Sequence, residues 1–560
     1  MANSRHLRGT ADLNLIEAPV TWRAYMICGC ASFGEQPLPG ILFGYDSGYI
    51  SGVLAMDYVT EHFGHAVPKT KENPNGYVIS SSRKSLITSI LSAGTFFGAL
   101  IGGGLSERIG RRITIMLSCL IFAIGVAVQV GTENVGGLVA GRAIAGLGVG
   151  GVSATVILYV SEISPRKVRG LLVSVYQWAI TIGLLVASGV DQGCKDLDTR
   201  SSYRIPIALQ FIWAAILAAG LFLLPESPRY YVRCGRINDA LRSLERVRRQ
   251  PASNPAIQAE LAEIQANFEY EKQIASTSWA DCFKGGLSPR GNLRRVIAGT
   301  CLQMFQQWTG INFICKFWFF ANMLPLLTCL VYYGTTFFKS VGLKNPFLIS
   351  TIMNVVNVGT TPAAFYMIEA FGRRTLLLWG ALSMCICEFI VAIIGVTMEG
   401  SQAASTCLIV FTCLYIASFA TTWGPAAWVV IGEIYPLPIR AKGVALATAS
   451  NWLWNCVIAV TTPYIVDEDK GNLKVKVFFV WGSALFLCFL FAFFVIPETK
   501  GLTLEQVDKM LEESTPMTSA KWKPHDTFAH EMGMTDKDEA KVSTEEHLKS
   551  TGLSEQTHPV

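Results

Sequence analysis

Long apolar runs alternate with short polar segments along most of this 560-residue chain. A run of about 20 apolar residues is enough for a helix to cross the ~30 Å hydrocarbon core of a bilayer. Such runs lie near residues 85–105, 113–131, 135–160, 170–190, 205–224, 346–369, 374–397, 405–431, 440–463 and 476–496, with two more around 24–54 and 295–339. The pattern predicts an all-α membrane protein with about twelve spans.

Composition supports this prediction and narrows the function. Hydrophobic residues make up 51% of the chain and charged residues 16%, against about 25% charged in an ordinary soluble domain. The net charge of +5 is concentrated in particular loops, which indicates orientation in the membrane and no nucleic-acid partner. The fifteen cysteines show no metal-ligand spacing, and we interpret them as small hydrophobes. No nucleophile and base constellation stands out, so we expect neither an enzyme nor a cofactor.

Three local patterns occur twice, about 260 to 270 residues apart. Gly110-Arg111-Arg112 returns as Gly372-Arg373-Arg374, Glu162 with Arg169-Gly170 returns as Glu433 with Arg440 and Gly443, and Pro225-Glu226-Ser227 returns as Pro497-Glu498-Thr499. Two parallel halves of six helices each, as in the major facilitator fold, would produce this repetition.

The repeats and the polar segments divide the chain. We expect a cytoplasmic tail over 1–22, a first half over 23–224, a helical linker over 225–293, a second half over 294–496 and a cytoplasmic tail over 497–560. The linker carries two helix-forming stretches, Ile237–Arg249 and Ile257–Gln273. The basic clusters all fall on one side of the membrane, which the positive-inside rule makes the cytoplasm. Disorder is expected after about residue 505, where the sequence is polar.

Several motifs then follow in a fixed order. They are Phe43-Gly44-Tyr45-Asp46-Ser47-Gly48, ERIGRR (107–112), SEISPRKVRG (161–170), PESPRYY (225–231), QQWTGIN (306–312), EAFGRR (369–374) and PETKG (497–501). Over residues 24–510 the chain resembles the sugar porter family of the major facilitators, most closely the fungal monosaccharide transporters. The resemblance implies alternating access to a sugar site at the midplane, with a hexose as cargo. We also expect a monomer that spans the plasma membrane with both termini in the cytoplasm.

Charged side chains cluster in the loops that carry these motifs. We expect a cytoplasmic charge network of Glu107, Arg111, Arg112, Glu162, Arg169, Glu226, Arg229, Glu369, Arg373, Arg374, Glu433, Arg440 and Glu498. Pairs of arginine and carboxylate are directional, so such a network is suited to latch the outward-open state. The alternative is that the basic residues only hold these loops inside.

Three glutamines form a polar stripe on the predicted seventh helix. Gln303, Gln306 and Gln307 have the i, i+3, i+4 spacing of one helix face, and a carboxamide both donates to and accepts from a sugar hydroxyl. The alternative is hydrogen bonding between helices, which stays open for Gln303. The resemblance assigns sugar contact to the pair Gln306 and Gln307. It also places Gln177, Asn312, Asn357, Trp428, Asn451 and Trp452 at the sugar site.

Asp46 is a carboxylate inside the first apolar run, where it must be paired, protonated or hydrated. The resemblance makes Arg142 its neighbour. Proton exchange at Asp46 would couple sugar flux to the proton gradient. The alternatives are a purely structural ion pair between Asp46 and Arg142, a uniporter with the same site, and a transporter-like sugar sensor.

Glycines and one stretch of unusual length complete the picture. Gly98, Gly102 and Gly151 predict close helix approach, and Gly424-Pro425 predicts a break in the tenth helix. Residues 315–330 separate the Gly310-Ile311-Asn312 motif from an aromatic pair that directly follows it in the family. We interpret these residues as an unspliced intron, with 35–40 as a weaker second case. Mature message that contains both stretches would refute this interpretation.

Overall fold

A computed structural model describes residues 37–66, 76–165, 169–222, 224–272, 278–288, 291–311, 346–398, 402–466, 473 and 476–523. Within these ranges nine helical segments are long and apolar enough to cross a membrane: Ser82–Ile109, Arg111–Gly131, Val135–Ile163, Arg169–Cys194, Ser201–Leu221, Arg373–Thr397, Val410–Glu433, Arg440–Thr461 and Val477–Val495. Three shorter helices or helix pairs stand where the first, seventh and eighth spans were predicted. The predicted all-α membrane fold is confirmed.

The first half contains α1 Pro37–Val53, α2 Asp57–Phe63, α3 Ser81–Ile109, α4 Arg111–Gly131, α5 Val135–Ile163, α6 Arg169–Cys194, α7 Ser201–Ala208 and α8 Gln210–Leu221. Two short antiparallel strands, β1 His65–Ala66 and β2 Tyr77–Val78, lie between α2 and α3. The linker contains α9 Pro228–Arg233, α10 Ile237–Arg248, α11 Pro255–Lys272 and a 3₁₀ turn at Trp279–Phe283.

The second half contains α12 Asn292–Trp308, α13 Pro346–Thr360, α14 Ala363–Phe371, α15 Arg373–Thr397, α16 Gln402–Thr421, α17 Trp423–Glu433, α18 Arg440–Val466 and α19 Val477–Val495. After it come α20 Leu504–Glu513 and a 3₁₀ turn at Ser519–Lys521. The predicted break in the tenth span lies at Thr422, between α16 and α17 and just before Gly424-Pro425. The anomalous stretch 315–330 and Asn312 lie outside the described residues.

Glycines allow the close helix packing that the sequence predicted. A Cβ atom on Gly98 of α3 would lie 2.2 Å from the carbonyl oxygen of Leu147 on α5, and one on Gly102 would lie 2.7 Å from the Cα of Gly151. Real Cβ atoms do not approach other atoms this closely, so only glycine fits at either place. The backbones of α3 and α5 are therefore in direct contact.

The two halves meet through small side chains. Ala99 of α3 and Ala154 of α5 pack against Ala445 and Ala449 of α18, and all four are buried. We call these four residues the alanine patch. Close by, a Cβ on Gly103 would lie 2.3 Å from the Cβ of Ala445. At this level the halves are therefore pressed together with almost no intervening side chain.

Helices lie where the sequence predicts them in the linker, at Ile237–Arg249 and Ile257–Gln273, and they form a small core of their own. Leu244 of α10 packs on Ile257 and Leu261 of α11. Arg248 makes two hydrogen bonds to Glu260, of 3.0 and 2.6 Å, and a third of 2.9 Å to the carbonyl oxygen of Ile163 at the end of α5. The linker is thus attached to the first half.

The expectation of disorder after about residue 505 is wrong as far as residue 523. Thr503 and Gln506 form a capping box at the start of α20, and its apolar residues Leu504, Val507 and Met510 are fully buried. Asp508 pairs with Arg295 at the start of α12, and both side chains are buried. The short run of apolar residues at helical spacing outweighs the polar composition around it.

Candidate functional site

A cavity of about 160 Å³ lies between the two halves. Six of the predicted sugar-site residues lie in its wall: Gln177, Gln306, Gln307, Asn357, Trp428 and Asn451. They come from α6 in the first half and from α12, α13, α17 and α18 in the second. The structure therefore brings together side chains that are up to 274 positions apart, from Gln177 to Asn451.

Hydrogen bonds between carboxamides order one side of this wall. Gln307 on α12 donates to Asn451 on α18 over 3.0 Å. Asn451 in turn donates to both Gln303 and Gln306, at 2.7 Å each. Because each amide in the set both donates and accepts, the side chains fix one another in place.

Gln306 and Gln303 differ in what they face. The Gln306 amide donates to the carbonyl oxygens of Trp423, over 3.2 Å, and Gly424, over 2.9 Å, where α17 begins after the helix break. Gln303 is fully buried and is not part of the cavity wall; its amide reaches the carbonyl oxygen of Ala427 at 3.5 Å. Of the two interpretations of Gln303, contact between helices is the one that the geometry supports.

The two predicted tryptophans also differ. Trp428 lies in the cavity wall and donates from its indole N–H to the Gln177 carboxamide of the other half, over 3.2 Å. Trp452 lies behind the wall. Its indole packs edge-on to Phe43, with ring centroids 4.7 Å apart, and donates to Ser153 over 3.3 Å. In this conformation only Trp428 faces the cavity.

Asn357 presents an acceptor that receives no hydrogen bond from the part of the chain that the structure describes. It lies in the cavity wall and is only 4% exposed, and within the described residues its Oδ1 atom has no hydrogen-bond partner. A buried carbonyl oxygen of this kind is costly unless something donates to it. A hydroxyl group of a bound molecule would meet this need.

The sequence analysis did not single out several other polar residues in the wall. They are Ser47, Ser51, Thr88, Ser92, Ser188, Asn354 and Asn455. The sequence pattern could have identified Asn455, because it follows Asn451 by one helical turn. It could not have identified the serines and the threonine, since such residues are common in membrane helices for packing alone.

Asp46 and Arg142 do not form an ion pair in this conformation. Arg142 donates to the carbonyl oxygen of Ile87 and to the Tyr49 hydroxyl, both over 2.9 Å, and Tyr49 donates to Gln129 over 2.9 Å. Asp46 is fully buried, and neither of its oxygens has a hydrogen-bond partner within the described residues. The alternative of a structural ion pair is therefore wrong for this state.

The predicted charge network is present in the first half. Arg111 binds Glu162 through two hydrogen bonds of 3.0 and 2.9 Å, and Arg229 donates to the backbone carbonyl of Glu162 over 2.7 Å. Glu226 accepts from the backbone N–H groups of Arg111 and Arg112, at 3.0 Å each. Burial raises the pKa of the Glu226 carboxyl, against the opposing effect of these donors and of the Arg111 charge.

The second half repeats this arrangement almost atom for atom. Arg373 binds Glu433 through bonds of 3.3 and 3.1 Å and also pairs with Glu369 at 3.2 Å. Glu498 accepts from the backbone N–H groups of Arg373, at 2.8 Å, and Arg374, at 3.1 Å. The motifs that are repeated in the sequence therefore form the same ion pairs and backbone hydrogen bonds in both halves.

The remaining network residues lie at the same end of the bundle, which we call the basic end. Arg169, at the start of α6, is buried, and Arg440 donates to the carbonyl oxygen of Tyr435 over 2.8 Å. Glu107 accepts from Lys442 of the other half, over 2.5 Å, and from Arg233 of the linker, over 3.2 Å. Lys442 and Arg233 were not predicted, because nothing in the sequence places them beside Glu107.

The fold and the cavity define a class of protein. A bundle of apolar helices encloses a polar chamber at the junction of two repeated halves, and paired charges tie the helix ends together on one side. This is the architecture of a major facilitator, an integral multi-pass membrane transporter. The sequence model described as "Sugar (and other) transporter" matches residues 36–511, and the chain belongs to that family.

Several curated relatives are fungal proteins. The chain is 44% identical to the major facilitator-type transporter ecdD of Aspergillus rugulosus, over 90% of either chain. It is 43% identical to the probable glucose transporter rco-3 of Neurospora crassa, over 84% of this chain and 77% of the relative. It is also 41% identical to the high glucose sensor RGT2 of Saccharomyces cerevisiae, over 86% of this chain and 61% of the sensor.

Solved structures of the proton:xylose symporter XylE share the fold. The structure bound to 6-bromo-6-deoxy-D-glucose matches with a TM-score of 0.71 at 26% identity, over 87% of this chain and 99% of XylE. The inward-open structure of XylE from E. coli matches with a TM-score of 0.59 at 25% identity, over 87% and 99%. The present conformation is closer to the ligand-bound form than to the inward-open one.

Proposed function

We propose that this protein carries a hexose, with glucose as the first candidate, across the plasma membrane by alternating access. The cavity wall carries the proposal. It combines carboxamides from both halves, an indole ring at Trp428 and an acceptor at Asn357 to which none of the described residues donates. Sugars offer hydroxyl groups that donate and accept and a C–H face that packs on aromatic rings. Relatives described as glucose transporters support the same cargo.

The proposal assigns sugar contact to Gln177, Gln306, Gln307, Asn312, Asn357, Trp428, Asn451 and Trp452. Trp452 would join the site in another state of the cycle. The basic end is the cytoplasmic side, with both termini there and the halves divided at the linker as the sequence predicts. The protein works as a monomer in the bilayer.

We further propose that a proton moves with the sugar through Asp46. A fully buried carboxylate in a membrane helix must be paired, protonated or hydrated, and the described residues offer Asp46 no partner. Arg142 lies in the cavity wall and is occupied with Tyr49 and Ile87. Its release toward Asp46 in another state would favour loss of the proton. The proton symporter XylE, with its matching fold, supports this coupling.

Uptake of labelled glucose tests both parts. The assay uses cells without hexose transporters of their own, at acidic and neutral pH, with and without a protonophore. We expect uptake that acid stimulates and the protonophore abolishes, and we expect Asp46→Asn to remove both effects. Asp191→Asn is the matched control, because Asp191 is an equally buried carboxylate on α6 that does not line the cavity. Uptake indifferent to pH would leave a facilitative uniporter.

Sensing is the second candidate function, favoured by the 41% identity to a glucose sensor. A sensor would bind glucose without measurable uptake. Binding in purified protein together with zero uptake in cells would therefore replace transport by sensing. A chain lacking 315–330 belongs in the same assay, since uptake by the shortened chain alone would support the unspliced intron.

A further inference from the structure

Hydrogen bonds between described residues join the halves on the side of the cavity away from the basic end. Ser92 of α3 donates to Asn455 of α18 over 2.9 Å, and Asn354 of α13 donates to Ser188 of α6 over 2.8 Å. The thiol of Cys456 reaches the carbonyl oxygen of Ser89 at 3.6 Å. We call these three contacts the outer seal.

The position of the outer seal follows from the helix directions. Arg440 begins α18 at the basic end, so later residues of α18 lie farther from that end. Asn455 stands one turn, about 6 Å, beyond Asn451 of the sugar site. The seal contacts therefore lie on the opposite side of the sugar site from the alanine patch, where an outer gate would close.

A single chain of hydrogen bonds connects the seal to the sugar site. Ser92 donates to the Asn455 oxygen, and the Asn455 amide donates to the Gln307 oxygen over 3.3 Å. Gln307 then donates to Asn451, which donates to Gln306. Each residue donates to the next one, so all these hydrogen bonds point from Ser92 toward Gln306. Hydrogen bonds aligned in this way polarise and strengthen one another.

We propose that Asn455 is a positioning residue that transmits sugar occupancy to the outer seal. This inference rests on the proposed function. A sugar hydroxyl bound at Gln306 or Gln307 extends the aligned chain, and the added polarisation strengthens the bond between Asn455 and Ser92 across the two halves. Asn455 is the residue through which this effect reaches the seal, because it is hydrogen-bonded to both Gln307 and Ser92.

The native thiol of Cys456 offers a reporter beside Asn455. It is half-buried at the seal, so its reaction rate with a membrane-impermeant methanethiosulfonate added outside the cells measures how often the seal opens. A Cys456→Ser chain provides the background from the other cysteines. In the unaltered chain we expect saturating glucose to slow Cys456 labelling by about fivefold, the effect of roughly one hydrogen bond.

Variants separate coupling from ordinary structural loss. Asn455→Ala and Ser92→Ala should each bring the ratio of labelling rates without and with glucose close to one, and the double variant should change it no further. Asn354→Ala breaks a seal bond that does not belong to the chain of amides. Because Asn354 also lines the cavity, glucose is added at a concentration that saturates this variant. Labelling should then be faster with and without glucose alike, and the ratio should be preserved.

Each outcome decides a separate point. A glucose-dependent ratio that persists in both Asn455→Ala and Ser92→Ala overturns the proposal, as does an additive effect in the double variant. Glucose uptake without any glucose-dependent labelling in the unaltered chain also overturns it and leaves the proposed function standing. Absence of both uptake and protection by glucose means that the proposed function itself fails.

Discussion

Two glutamines one turn apart on α12 meet different surroundings. Gln307 lies in the cavity wall, whereas Gln303 is enclosed between α12, α17 and α18. Both belong to the same set of amide hydrogen bonds. The difference between a ligand contact and a helix contact therefore depends on which side of the helix faces empty space, and sequence spacing alone does not contain that information.

Leucine at each position tests this distinction. We expect Gln307→Leu to raise the KM for glucose about tenfold, the cost of leaving sugar hydroxyls without a partner. Gln303→Leu removes no side chain of the cavity wall, and Asn451 loses only its hydrogen bond to Gln303 while it still donates to Gln306. This variant should therefore change the KM less than about twofold. Uptake kinetics in the transport-null cells measure both values. Equal increases in KM would mean that the two glutamines only hold helices together.

A substitution at Gly110 tests the hydrogen bonds that Glu226 accepts from the backbone N–H groups of Arg111 and Arg112 at the basic end. The Gly110 φ of +96° is one that other residues rarely adopt, and a Cβ would lie 2.5 Å from Glu226 Oε2. Gly110→Ala should lower the free energy of unfolding by about 1–3 kcal/mol, seen as a lower thermal midpoint of the purified protein. Gly131→Ala is the control, since nothing lies within 4 Å of its Cβ position. A midpoint equally low in both variants would contradict this explanation.

The tail helix α20 shows how one ion pair fixes an element. Arg295 at the start of α12 meets Asp508 inside α20, and Leu504, Val507 and Met510 bury the apolar face. Because α12 carries Gln306 and Gln307 of the cavity wall, α20 is attached to an element of the candidate site. The segment after α19 therefore has a direct mechanical connection to a helix that lines the cavity.

Removing one partner of this pair should release the helix. We expect Asp508→Ala to cost about 3–5 kcal/mol of local stability, because it leaves a buried arginine without its carboxylate. Limited proteolysis should then cut within 504–513 much faster than in the unaltered chain. The double variant Arg295→Met with Asp508→Leu should recover most of the protection. Rapid cutting in the double variant would mean that packing depends on something other than the charges.

Elements were more predictable from the sequence than their contacts. Spans, linker helices and the duplicated charge motifs follow from local periodicity and composition, and the structure has them. The contacts of Glu107 with Lys442 and of Ser92 with Asn455 join residues more than 330 positions apart, and no local pattern selects such partners. Arg142 donates to Tyr49 and not to Asp46. This pairing depends on the conformation, so the sequence does not predict it either.

At the scale of the whole molecule, the halves touch on both sides of the cavity. The alanine patch and the Glu107 pair with Lys442 close the basic end, and the outer seal joins the halves at the other. The higher TM-score to ligand-bound XylE than to its inward-open form agrees with a closed basic end. Among the described residues, the two halves therefore touch on both sides of the proposed sugar site.

Two neighbouring glycines test closure of the basic end. Gly103→Val would place a side chain where the Ala445 Cβ already lies, 2.3 Å away, and should lower uptake more than about tenfold, since a packed interface tolerates little added volume. Gly104→Val is the control, because its nearest neighbour is Trp279 at 3.6 Å; it should retain most uptake. Membrane abundance of both variants is measured alongside. Normal uptake by Gly103→Val would mean that the halves need not meet here.

The alanine patch has a consequence for the speed of the cycle. Alanine has no side-chain rotamers, so the two faces can part and meet again without ordering or freeing any side chain at this place. The alanine patch should therefore contribute little to the activation entropy of the conformational step, and the polar pairs at either end should contribute most of it. The activation entropy can be obtained from the temperature dependence of the transport rate. Lys442→Met should change it strongly, and Ala449→Gly should change it weakly.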